Sequence, residues 1–220
     1  MEVETIQCIE TYLTKVRGLE RTGRVYRGVI SEDYELIPKV GRDQYKDTYS
    51  IDNEKFLMRL FRQRAMPYIH HMPNNELEWM ALAQHHGLPT RFLDWTVNPL
   101  VALFFATNSE NNHNAAVYTS HFKRFDESFD PFGEDEPRKY YPPHITPRIT
   151  AQEGLFTVQN EPTIAFDSDK ILKIIIPADK KKEIRKELDL LGFNHQKLFP
   201  GLDGISELLS WRMEHRVGKW

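Results

Sequence analysis

The sequence predicts an α+β fold, a small mixed or antiparallel sheet flanked by helices, and three observations point to it. Helical and strand-like stretches alternate without regular βαβ units. The strand-like stretches, VYRGV, FLDW, AAVY and ILKIII, are short. One run, LVALFFA, is apolar all round and follows a helix-start signal, which marks a buried helix.

The elements follow in order. Ile6, Ile9, Leu13 and Val16 recur at helical spacing, so a helix over 3–17 packs one face on the body. RTGRVYRGVI reads as a turn and a strand, and the irregular 31–40, punctuated by Pro38 and Gly41, as a surface loop. A helix over 53–68 carries the apolar face Phe56, Leu57, Leu60, Phe61 and Ala65, with Asp52 or Asn53 as cap and Pro67 as stop. A second, over 75–85, uses Leu77, Met80 and Ala81 and ends at Gly87 and Pro89. FLDW is extended. Asn98 before Pro99 then opens the apolar helix, a capping side chain followed by proline at the first helical position.

Beyond it, 115–118 is a strand, and 122–147, rich in Asp, Glu, Pro and Tyr, is a long surface excursion. RITAQEGLFTV reads as one or two strands and ILKIIIPA as another. Asp179 caps a helix over 180–191 that Gly192 ends, and Asp203 or Ser206 caps the last helix.

Bulk properties exclude several classes. The 220 residues suit one large domain, and nothing marks a second core. Apolar residues at 40% and charged residues at 28% allow a core without disulfides or metals. A net charge of −3 gives no general attraction to polyanions, although a local basic patch can coexist with it. The start lacks the basic flank and apolar run of a signal peptide, and no stretch reaches the roughly 18 apolar residues of a membrane span. Cys8 is the one cysteine. A cytoplasmic protein with no membrane association is the expectation.

The chemistry concentrates in QHHGLPTRFLDWT, where His85, His86, Gly87, Thr90, Arg91, Asp94, Trp95 and Thr96 precede the apolar helix. Taken singly, Arg91 and Asp94 read as an ion pair bracing the loop, a histidine as a backbone cap and Trp95 as core. Together they form the wall of a pocket, with the helix start at Asn98 offering free N–H donors to phosphate oxygens, such as a dinucleotide pyrophosphate. Arg27, inside a strand and followed by Gly28, needs an anion: a carboxylate of the fold or a ligand phosphate. Adjacent pairs His70–His71 and His85–His86 diverge on strand or helix, and there is no HExxH or cysteine–histidine quartet, so no metal is expected. Glycine-rich phosphate loops and a GxSxG element are absent too.

YRG, EWMALAQHHGLPTRFLDWTVNPLVALFFA, RITAQEGLFTV and LFPGLDG resemble, in order, the motifs of the FRG (Phe-Arg-Gly) domain family, with Tyr26 in place of the phenylalanine. The resemblance implies a helix over 1–19 packed on an FRG domain over 20–220. It also implies a bacterial or phage context, as a toxin or phage-defence effector.

A remoter likeness, to arginine-type ADP-ribosyltransferases, rests on Arg27 and on Thr96 with VALFFA. It implies an ADP-ribosyltransferase-like fold and NAD as substrate, with Arg27 gripping phosphate and Thr96 shaping the nicotinamide pocket. A carboxylate would steady the ribose cation that develops as nicotinamide leaves. At that third position stands Gln152, followed by Glu153; glutamine has no negative charge to give, so Asp94 is a further candidate for the acid. Tyr26, Gly28, His85, His86, Gly87, Thr90, Arg91, Trp95, Asn98 and Phe156 are the expected ligand contacts. The target would be a protein or nucleic acid. The alternatives are a non-catalytic nucleotide- or protein-binding module and a hydrolase or nuclease using His85, His86 and Asp94.

Overall fold

Seven strands pair into one mixed sheet among the described residues, in the order β1-β7-β4-β2-β3-β6-β5. The chain runs β1 (Glu2–Thr5), α1 (Ile9–Arg17), β2 (Arg24–Val29), α2 (Asp43–Lys46), α3 (Ile51–Ala65), α4 (Glu76–His85), β3 (Phe92–Thr96) and α5 (Pro99–Thr107). It continues through β4 (Ala115–His121), β5 (Arg138–Tyr140), α6 (Pro147–Ala151), β6 (Gly154–Val158), β7 (Leu172–Ile176), α7 (Lys181–Leu190), α8 (His195–Leu198) and α9 (Leu202–His215). This computed structural model describes all residues except 21, 70, 110–111, 123–127, 134–136, 144–145, 168–169 and 219–220. The α+β expectation holds, and the sheet is mixed: β1 runs parallel to β7, while the other pairings are antiparallel.

The sheet owes its cohesion to its centre. β2 pairs with β4 over six residues, and β4 with β7 over five. On one face lies the apolar α5, whose Val101, Ala102, Leu103 and Phe104 are fully buried with Tyr12, Ile174 and Ile184. The approach of α5 to β2 is backbone-close: a Cβ on Gly28 would sit 1.9 Å from the Ala102 carbonyl oxygen. Glycine is therefore required there by steric exclusion. Asn98 caps this helix as expected, its Oδ1 accepting from Leu100 N at 3.0 Å. A second cluster packs α3 and α4 onto Phe92, Phe156 and Val158. The opposite face buries Val25, Leu93, Trp95 and Tyr118 under Leu36 and Phe166.

Several elements depart from expectation for identifiable reasons. Residues 2–5 are an edge strand, not the start of a helix; Ile6 N continues the ladder onto Ile175 O at 3.0 Å, and the β-branched β7 wins over helical spacing. The cap of α3 is Ser50, whose hydroxyl accepts from Asn53 N at 3.1 Å. Its expected apolar face is partly exposed, with Phe56 and Leu57 facing outward, because the helix turns Glu54 and Met58 into the interior. RITA is helical, not extended: Thr146 caps α6 and Pro147 opens it, the same signal as Asn98–Pro99. α7 follows a 3-10 turn at Ala178–Lys180, and α9 begins after Gly201, so neither Asp179, Asp203 nor Ser206 caps them. Parts of the 122–147 excursion lie outside the described residues; within the described part, β5 extends the sheet beside β6.

Candidate functional site

Between β2 and β3 the sheet forks. The two strands share a single pair, Tyr26 opposite Thr96, and separate beyond it. Continuing the ladder would set Gly28 against Asp94; instead the Asp94 carbonyl accepts a hydrogen bond from Arg27 Nη1 at 2.7 Å. The guanidinium stands in for a missing backbone donor, which a side chain can do only where the strands have parted. A cavity of about 350 Å³ occupies this fork, lined by β2 and β3, the end of α4, the loop before α2, and α6 with β6.

Asp94 is the one carboxylate lining the cavity among the described residues. Its Oδ1 accepts from Gln84 Nε2 at 2.6 Å and its Oδ2 faces Arg27 Nη1 at 3.4 Å. Gln84 is oriented in turn by the Thr90 hydroxyl, which donates to its Oε1. The side chain of Asp94 is 60% exposed, so a fixed carboxylate projects into open space. Arg27 is only 13% exposed, and its Nε finds no hydrogen-bond partner among the described residues. Burial pushes its pKa down; Asp94 offsets this in part, while Arg42 nearby pushes it further down.

Four cationic side chains converge here: Arg27, Lys39, Arg42 and Arg148. Lys39 spends one donor on Gly87 O at 2.7 Å and Arg42 one on Ile37 O at 3.3 Å, while the Arg148 guanidinium lies over the Phe199 ring at 4.6 Å. Most of their donors therefore remain available. His85 joins the lining, its pKa lowered by burial, by His86 and by Arg148, which keeps it neutral near pH 7. The remaining wall is aromatic and apolar, with Tyr26, Phe92, Phe105 and Phe156, whereas the Trp95 ring packs on the opposite face of the sheet against Phe122 and Phe166. Such a site accommodates a ligand with several negative charges and a flat or apolar portion.

Of the residues singled out from sequence, Tyr26, Arg27, Gly28, His85, Asp94, Trp95, Thr96, Gln152 and Phe156 line the cavity. Others do not. Arg91 is fully buried and paired with Glu54, not Asp94: its Nη2 and Nε lie 2.9 and 3.1 Å from Glu54 Oε2, and its Nη1 donates to Pro131 O. That arrangement leaves no face for a ligand. Thr90 is buried behind Gln84, and Gly87 serves Lys39 through its carbonyl.

Thr96 spends its hydroxyl on Gln152 O at 2.7 Å and accepts from Asn98 N, so it holds the loop. Gln152 donates its amide to Leu198 O at 3.0 Å. Glu153, in the left-handed region at φ 47°, turns away from the cavity and accepts from Asn98 Nδ2 at 2.7 Å. The start of α5 is thus closed by Asn98 and Glu153 and does not present free donors to the cavity, which α5 meets near its other end, at Phe105. His86 caps α4 and lines a different groove, apart from His85 although the rings touch edge to face at 5.0 Å.

Sequence reasoning missed Lys39, Arg42 and Arg148. Lys39 and Arg42 sit in a loop read as surface; the packing of Gly41, where a Cβ would meet Pro162 O at 1.8 Å, holds that loop inward. Arg148 was hidden by reading RITA as strand. The pair His70–His71 lies partly outside the described residues. Among the described residues no three His, Cys, Asp or Glu side chains gather as a metal site, and no helix is long and apolar enough to cross a membrane.

Residues 22–115 match the family model of the FRG domain. Over that stretch the chain is similar to the FRG domain. The match runs from the turn before β2 to the first residue of β4 and so includes Arg27, Lys39, Arg42, α4 and β3. The wall built by α6 and β6 lies beyond it, including Arg148, Gln152 and Phe156, although the same sheet carries both parts of the site. No curated protein and no solved structure matches the chain.

Proposed function

We propose that the FRG-domain cavity binds NAD or a related nucleotide through its phosphates, and that the protein acts as an ADP-ribosyltransferase-like effector on a protein or nucleic-acid target. The observation that carries this reading is the excess of cations in the fork: four cationic side chains face one carboxylate, beside an aromatic wall suited to a base or nicotinamide ring. The cavity lies within the 300–1,000 Å³ range of small-molecule sites.

In this reading Arg27 and its cationic neighbours hold the phosphates. The bond between the ribose anomeric carbon and the nicotinamide nitrogen breaks, nicotinamide leaves with the electron pair, and the cation on the ribose is stabilised by Asp94 before a nucleophile of the target attacks. Asp94 takes this role because Glu153 is committed to Asn98 and Gln152 to Leu198. Gln84 and Thr90 act as positioning residues for it.

A second reading, a non-catalytic nucleotide-binding module, is favoured by the pairing of Asp94 with Arg27, which lowers the charge the carboxylate can offer. Incubating the purified chain with labelled NAD, with and without bacterial extract, separates the two. Nicotinamide release and label transfer are expected for the transferase. Binding without release would leave the module, and absence of binding would remove both readings.

A further inference from the structure

A second concavity lies on the outer side of the helix that closes the nucleotide cavity. Leu57, Leu60 and Phe61 of α3 face Leu82 of α4 and Leu88 across a groove of about 510 Å³, in whose wall Arg64 is set. Tyr68, 82% exposed, stands at its end. Two features distinguish it from an ordinary surface furrow. Apart from Arg64, Tyr68 and His86 its lining is apolar side chain, with Leu57 37% exposed, and it contains no acidic residue. The other cations of α3 also have identifiable partners: Lys55 lies over Phe132, Arg59 over Phe56, and Arg62 pairs with Glu76 beside Trp79. For Arg64 no partner occurs among the described residues. A lone arginine within an apolar wall is complementary to an apolar surface bearing one carboxylate.

We infer that this groove docks an amphipathic helix of a protein partner, with leucine-type anchors entering between α3 and α4 and an Asp or Glu of the partner meeting Arg64. The geometry is that of helix-in-groove recognition, in which anchors at i, i+3, i+4 and i+7 fill the floor. α3 has 15 residues, a length of about 22 Å, enough to support three turns of a docked helix. α4 is common to both sites, its Ala81, Gln84 and His85 turned to the cavity and its Leu82 to the groove, so the partner is held beside the cavity mouth. The docking claim does not depend on which ligand the cavity takes.

The test uses three fluorescein-labelled 15-residue helical peptides with leucines at that spacing, carrying Glu, Gln or Lys at the position facing Arg64, titrated with the full chain by anisotropy. The Glu peptide is expected to bind at least about fivefold more tightly than the Lys peptide, the size of one partly desolvated charge pair. Arg64→Glu should reverse that order, and Leu57→Asp, at an exposed position, should weaken all three while the circular dichroism spectrum stays unchanged. Equal binding of the three peptides, or binding indifferent to Leu57→Asp, overturns the proposal. So does self-association of the chain that Leu57→Asp abolishes, since a second copy would then own the groove.

Discussion

Arg27, inside β2, and Arg91, the residue before β3, are both withdrawn from solvent and both face a carboxylate, yet they behave as opposites. Arg91 is saturated: Glu54 takes its Nε, its Nη2 and its backbone N–H, Pro131 and Tyr49 take two further bonds, and Phe132 stacks under it at 4.5 Å. Arg27 holds one carbonyl and one carboxylate at 3.4 Å, and its Nε is unpartnered among the described residues. A buried cation whose donors are all used braces a fold. One left underused beside a cavity and three other cations keeps donors to spare, as the proposed nucleotide reading requires.

The contrast fails first at Arg91, where the largest effect is expected. Arg91→Ala strands Glu54 as an unpaired buried carboxylate, and stability should fall by about 3–5 kcal/mol in urea denaturation. Arg27→Ala should leave the unfolding free energy from urea denaturation within about 1 kcal/mol of the parent while abolishing nucleotide binding. If the two variants unfold alike, Arg27 is a brace and the cavity loses its anchor.

A second saturated cluster extends the comparison to pH. Arg185 donates to Phe104 O and Asn108 Oδ1 and lies 3.1 Å from His195 Nδ1, which it meets as a neutral acceptor. Burial, and then Arg185, pushes His195 down to about 4. With the folded value below the unfolded one, near 6.5, the unfolded chain takes up a proton that the folded chain refuses. The stabilising effect of a neutral His195 is complete above about pH 6.5 and is lost as the pH falls towards 4, by roughly 2–3 kcal/mol. Urea titrations at pH 7.5 and 4.5 should show this loss in the parent and a correspondingly smaller one in His195→Gln. An equal loss in both would mean that His195 is charged in the folded state.

The two arginines also mark what a sequence can and cannot disclose. Arg27 was legible because a charged residue inside VYRGV has nowhere to go without an anion, and the close approach at Gly28 followed from the same five letters. Asn98–Pro99 disclosed a buried helix for equally local reasons. Arg91 was misread because its partner Glu54 is 37 residues away on a helix whose apolar residues suggested a different buried face. Lys39, Arg42 and Arg148 went unseen since their convergence depends on how the loop before α2 and the α6 turn pack, and no local period encodes that. Local chemistry can be read; the meeting of distant segments has to be observed.

The smallest effect, and the most discriminating, is expected at Asp94. Its carboxylate competes internally with any ligand phosphate for Arg27. Asp94→Asn removes the competing charge while an amide oxygen can still face Gln84 or Arg27, so inorganic pyrophosphate or ADP should bind roughly three- to tenfold more tightly, as calorimetry can measure. The same variant should lose nicotinamide release from NAD if the carboxylate steadies the ribose cation. Tighter binding with release abolished fits a transferase in which Asp94 both restrains and completes the site. Tighter binding by a chain that never released nicotinamide fits a module, in which Asp94 only tempers affinity. Weaker binding would show that Asp94 organises Arg27 rather than opposing its ligand, and would bring Arg27 closer to Arg91 than its open surroundings suggest.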